Sequence, residues 1–108
     1  MTLLQQRDEE IARRREDLRV ETLSRLRALL AEMLPGREVW VFGSLIHPGA
    51  FRENSDVDLA LREEPSEISA YGLQSLLEEA LGRSVDVVIL PESRLAETIL
   101  REGQRWTP

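Results

Sequence analysis

The chain has 108 residues, enough for one small two-layer core and too few for a second. Hydrophobic residues make up 42% and charged residues 31%, a globular balance, and the absence of cysteine excludes disulfides and thiolate metal sites. The net charge of −6 disfavours tight non-specific binding to nucleic acid, and all 14 basic residues are arginine, so no lysine can clamp a phosphate. No stretch is apolar for long enough to span a membrane, and the N-terminus opens on charge, so the cytoplasm is the expected compartment.

Residues from about Gln5 to Leu34 read as one helix with two unlike halves. In the second half Leu18, Leu23, Leu26, Leu30, Met33 and Leu34 recur at three- and four-residue steps, the stripe of a core-facing helix. Pro35-Gly36 ends it. The first half is dominated by Asp8-Glu9-Glu10 and Arg13-Arg14-Arg15, with Leu4, Ile11 and Leu18 spaced by seven. That spacing suits a seam for a partner helix, whereas the charges suit a solvated helix with internal ion pairs. Val39-Trp40-Val41-Phe42 is short, β-rich and bounded by charge and glycine, which predicts the first strand. Ser44 to Asn54 is a connection that opens on a helical turn and is broken by Pro48-Gly49.

Asp56 to Arg62 is the second expected strand. Val57, Leu59 and Leu61 share one face, and Asp56, Asp58 and Ala60 share the other. A helix follows from about Ser66 to Leu81, with Gly82 as its C-terminal cap. Val85 to Leu90 is the third strand; apolar on both faces except for Asp86, it is expected to be central. A last helix covers about Ser93 to Arg101 and ends at Gly103. The order α-β-β-α-β-α implies an α+β, two-layer fold: a small mixed sheet of about three strands with helices packed on one face.

Gly43 and Ser44 close the first strand. A glycine there lets backbone approach a phosphate closely, N–H groups of a following turn can point at it, and the Ser44 hydroxyl adds a donor; an ordinary strand-ending turn has the same sequence. Asp56 and Asp58, two apart on one strand face, lie about 6–7 Å apart at Cα and repel unless a cation sits between them. Hard, oxygen-seeking Mg²⁺ suits that geometry; a solvated edge strand guarded by acids has the same pattern. Asp86, among Val85, Val87, Val88 and Ile89, is expected to be partly buried, which demands a metal or an ion pair with Arg83 or another arginine. Beside the second strand it completes a three-acid cluster able to hold two cations about 3.5–4 Å apart. Two such ions would bring the net charge from −6 to about −2. His47 and Arg52 are secondary candidates for phosphate contact and also read as plain loop residues. With one histidine and no cysteine, covalent catalysis of the Ser-His-Asp or Cys-His kind is excluded.

Val39-Trp-Val-Phe-Gly-Ser44, Ser55-Asp-Val-Asp-Leu-Ala-Leu61 and Val85-Asp-Val-Val-Ile-Leu90, in this order, resemble the DNA polymerase β-like nucleotidyltransferase superfamily. Within it the chain is similar to the minimal nucleotidyltransferases, the MNT or MntA-like group. The resemblance implies one domain over residues 1–108, with an N-terminal helix (1–34) and a catalytic palm (37–108). It implies two Mg²⁺ ions, with ATP as the substrate and a HEPN-domain toxin as the partner. The reaction implied is transfer of AMP to a hydroxyl, taken as a tyrosine's, with pyrophosphate leaving, so that the chain acts as an antitoxin. Carried over by position, Gly43 and Ser44 would hold the triphosphate. Asp56 and Asp58 would bind both metals, and Asp86 the catalytic one while helping to deprotonate the acceptor. The chain departs from the commonest pattern in its spacer of 11 residues between Ser44 and Asp56, and in having Leu45-Ile46 where a basic residue often follows the Gly-Ser pair. An alternative is an antitoxin that neutralises its HEPN partner by binding alone. Small-molecule nucleotidylation, as of an antibiotic, needs more surface than this length provides. The sequence is compatible with a homo-oligomer and implies neither membrane nor stable nucleic-acid binding.

Overall fold

The computed structural model describes all 108 residues, and its first helix, α1 (Leu3–Met33), is set off by a reciprocal cap. The Thr2 hydroxyl accepts from Gln5 N at 3.1 Å, and Gln5 Oε1 accepts from Thr2 N at 2.8 Å, satisfying two N–H groups that the first turn leaves free. Residues 1–14 are all exposed, and burial begins further along with Thr22, Leu26 and Leu30. A helix of 31 residues runs about 46 Å, which accounts for most of the 55 Å long axis of the molecule. Its charged half carries the Arg14–Glu10 ion pair at 2.5 Å, as a solvated helix would, whereas Arg19, paired with Glu16 at 2.6 Å, is largely buried and donates to the Leu45 carbonyl.

The remaining elements are β1 (Val39–Phe42), a 3₁₀ turn (Gly43–Ile46), β2 (Val57–Leu61), α2 (Ala70–Leu81), β3 (Val85–Ile89), a second 3₁₀ turn (Leu90–Glu92), α3 (Ala96–Glu102) and β4 (Gln104–Trp106). They form one mixed sheet in the order β3-β2-β1-β4, with β1 antiparallel to both β2 and β4 and β2 parallel to β3. Strand alternation divides the side chains as the sequence predicts. Val39, Val41, Val57, Leu59, Leu61 and Val85 pack with Leu26, Leu30, Leu73 and Leu77 from α1 and α2. Trp40 and Ala60, on the opposite face, pack with Leu90 and Ile99.

The fold class is the expected one, and the structure departs from expectation in four particulars. A fourth strand, β4, pairs Val39 with Trp106, Trp40 with Arg105 and Val41 with Gln104. The short α3 lies on the second face, over Trp40 and Ala60, so the helices do not all share one side. The second and third helices begin later than expected, at Ala70 and Ala96. For α2 the hydroxyl of Ser69 caps the start by accepting from Gly72 N at 3.0 Å. Finally, β3 is an edge strand, not a central one. Its apolar composition survives there because α2 covers the outer edge: Gln74 Oε1 accepts from Val87 N and Glu78 Oε2 from Val85 N, each at 3.1 Å.

Gly103 explains how α3 reaches the sheet. A Cβ at this position would stand 2.6 Å from the carbonyl oxygen of Ile99 and 3.3 Å from that of Val41, so only glycine lets the helix end turn directly into β4.

Candidate active site

Asp58 occupies the position in β2 where three strands meet in register. Its neighbour across the antiparallel pair is Phe42, the last residue of β1, and its neighbour across the parallel pair is Asp86. Adjacent strands lie about 4.8 Å apart, and residues in register point to the same face, so the Asp58 and Asp86 carboxylates rise side by side. Asp56 stands just before β2 and two residues from Asp58, which places it on that face by parity. Asp58 and Asp86 are therefore paired at one end of the sheet face that carries Ala60, with Asp56 at its margin; the expected close cluster of three acids is corrected to a pair with a third acid beside it.

The three differ in environment. Asp58 is half-buried, whereas Asp56 and Asp86 are exposed. The expectation that Asp86 is partly buried is thus corrected: on an edge strand, with no helix above it, the carboxylate reaches water. Burial first, and then the charges of Asp86 and Asp56, push the Asp58 carboxyl up to about 6. No arginine forms an ion pair with any of the three.

Gly43 sits against this cluster. Its φ is +77°, a left-handed value that L side chains rarely adopt, and a Cβ on it would overlap Asp58 Oδ2 and lie 3.3 Å from Asp58 Cγ. The glycine serves the carboxylate as much as any phosphate, a role that the sequence pattern does not reveal. Ser44, half-buried, follows in the 3₁₀ turn, whose start has no side-chain cap. Beside the turn a cleft of about 200 Å³ is lined by Phe42, Gly43 and His47, by Leu95 just before α3, and by Thr98 and Glu102 of α3. His47 thus borders the site, while Arg52 is exposed on the loop before Asp56.

No three His, Asp or Glu side chains stand close enough to make a ready-built metal cage. Mg²⁺ does not require one, because it is commonly held by one or two carboxylates and completes its shell with water and substrate phosphate. An all-oxygen donor pair in adjoining register, containing a carboxyl with raised proton affinity, carries negative charge that nothing in the chain neutralises. That donor set fits a hard divalent cation.

Comparison with known proteins places the fold. The family described as "Polymerase beta, Nucleotidyltransferase" matches residues 26–105. A solved structure of a toxin-antitoxin with AMP-PNP contains a chain that is 26% identical, with a TM-score of 0.61 over 79% of this chain and 73% of that one. The MntA-HepT toxin-antitoxin structure contains another at 24% identity, with a TM-score of 0.56 over 81% of this chain and 71% of that one, a likeness of fold. No curated protein matches. No helix is long and apolar enough to cross a membrane. With the matched span running from the buried half of α1 through β4, the chain belongs to the polymerase β nucleotidyltransferase family and is a nucleotidyltransferase.

Proposed function

We propose that the chain transfers AMP from ATP to a hydroxyl of a protein partner, a tyrosine of a HEPN-type toxin, and so acts as a cytoplasmic antitoxin. The observation that carries this reading is the register pairing of Asp58 with Asp86 beside Gly43, with Asp58 held at an elevated pKa. The likeness to a toxin-antitoxin structure solved with AMP-PNP supports both the adenine nucleotide and the class of partner.

In this reading Asp56, Asp58 and Asp86 hold Mg²⁺, two ions in all. The metal supplies charge neutralisation and polarisation of the α-phosphate. Gly43 and Ser44 receive the triphosphate through backbone N–H groups and the Ser44 hydroxyl. Asp86, exposed and therefore reachable by a protein side chain, accepts the acceptor's proton. The acceptor oxygen forms a bond to the α-phosphorus as the bond to the β-phosphate oxygen breaks, and pyrophosphate leaves with that electron pair. Incubation of the chain and its toxin partner with α-phosphate-labelled ATP and Mg²⁺ should label the partner. Asp58→Asn should abolish the label; a label that survives the substitution defeats the proposal.

A second reading has its own observation. The first half of α1 stands clear of the sheet and is exposed from Met1 to Arg14, a surface suited to covering a partner without chemistry. Under that reading Asp86→Ala still protects against the toxin and the partner's intact mass does not rise.

A further inference from the structure

Arg83 lies three residues before Asp86, where an ion pair with that acid would be natural, yet its guanidinium turns toward the loop that delivers Asp56. Arg83 Nη1 donates to the Ser55 carbonyl at 2.8 Å and to the Arg52 carbonyl at 3.3 Å. The guanidinium also lies 4.5 Å from the ring centre of Phe51, a side chain only 1% exposed. The turn has its own closing bonds, from Arg52 N to Ser55 Oγ at 2.9 Å and from Ser55 N to the Arg52 carbonyl at 3.1 Å. Those local bonds do not fix the turn relative to β3; two side chains do, the Phe51 ring buried in the same core cluster as Val85 and the Arg83 guanidinium that reaches back to the turn's carbonyls. Beyond the clamp, Val57 N bonds the Ser84 carbonyl at 2.9 Å, so Asp56 is held between two ties to the same short segment.

We propose that Arg83 is a positioning residue for divalent-ion binding: by clamping the 51–55 turn to the start of β3 it sets Asp56 relative to the Asp58–Asp86 pair. The inference rests on the reading of these aspartates as the metal-holding groups. Its chemistry is specific to arginine. A planar guanidinium can bond two carbonyls and stack on Phe51 at once, whereas a lysine ammonium offers the same charge without the plane. Electrostatics alone gives the opposite sign to positioning. A cation beside Asp56 repels Mg²⁺, so removing it without consequence for the loop would tighten binding.

The test uses the whole chain with Mn²⁺ alone as the probe, the free ion being counted by electron paramagnetic resonance, for the parent, Arg83→Lys, Arg83→Gln and Asp58→Asn. Both Arg83 variants are expected to bind Mn²⁺ about tenfold more weakly, with melting temperatures close to the parent's. Arg83→Gln keeps the inference testable should the lysine variant fail to fold. Affinities within twofold of the parent, or tighter, overturn it while Asp58→Asn still loses the ion. If Asp58→Asn binds Mn²⁺ as the parent does, the metal reading itself fails and the role of Arg83 falls with it.

Discussion

Gly43 and Asp58 are packed so closely that the glycine's missing side chain is where the carboxylate oxygen lies. The strand that ends in Gly-Ser and the strand that carries Asp-x-Asp are thereby joined at one point, which neither segment discloses when read alone. Gly43→Ala should therefore fail twice, through the positive φ and through overlap with Asp58 Oδ2. The expected cost is about 1–3 kcal/mol of stability, with nucleotidyl transfer lost because the carboxylate must move. Gly36→Ala is the control. Its φ is +76° but nothing lies within 4 Å of the added Cβ, so it should lose only the strain and keep its activity. Urea unfolding and the labelling assay on the two variants check the contrast.

Asp58 should make stability depend on pH. Its carboxyl is raised from 3.8 when unfolded to about 6 in the fold, so the folded chain prefers the protonated form. The stabilisation from that proton is fully present below the unfolded value and is lost as pH rises through about 6. Asp58→Asn, which is neutral at every pH, should accordingly raise the melting temperature at pH 7.5 and make little difference near pH 4. Solvent screening of a half-buried group limits the gain to about 1 kcal/mol. Thermal unfolding of both proteins without metal at the two pH values measures it. An Asn variant less stable than the parent at pH 7.5 would contradict the electrostatic account. The same substitution should lower transfer to the toxin by roughly a thousandfold or more.

Asp86→Asn separates function from folding. The side chain is exposed and has no ion-pair partner, so the melting temperature should change little. The Asp86 charge, however, raises the Asp58 pKa more than that of Asp56 does, so removing it should lower that pKa. Carbon-detected NMR titration of the Asp58 carboxyl would register that fall. An unchanged pKa would mean that the two carboxylates do not share a field.

Much of this arrangement was legible in the sequence, and for a physical reason. The period-two alternation of Val57, Leu59 and Leu61 against Asp56, Asp58 and Ala60 fixes which face is packed, and the structure keeps that division. What failed to show was whatever depends on partners distant in sequence. Gln104-Arg105-Trp106 is too short to display a period, and it becomes a strand only because β1 offers a free edge. The apolar run of β3 imitates a central strand because Gln74 and Glu78, on another element, satisfy its outer N–H groups. The exposure of Asp86 has the same origin: Val85 and Val87 point to the face that α2 covers, whereas Asp86 lies on the opposite face of an edge strand.

Gly103 gives the last test, at the join that seats α3 over the second sheet face. Its φ of −73° is ordinary, so alanine incurs no backbone strain there. The cost must come from space alone, because the new Cβ would press on the Ile99 carbonyl at 2.6 Å and the Val41 carbonyl at 3.3 Å. Both oxygens belong to backbone, one in α3 and one in β1, and neither can retreat like the end of a flexible side chain. Relief requires α3 to lift from β1, loosening Ile99 from Trp40 and Ala60 and uncoupling β4. Gly103→Ala should therefore lose about 1–3 kcal/mol. Hydrogen exchange should quicken in α3 and β4 before it does in α2 or β3. Equal acceleration across all four elements would mean that α3 and β4 do not open as a separate unit.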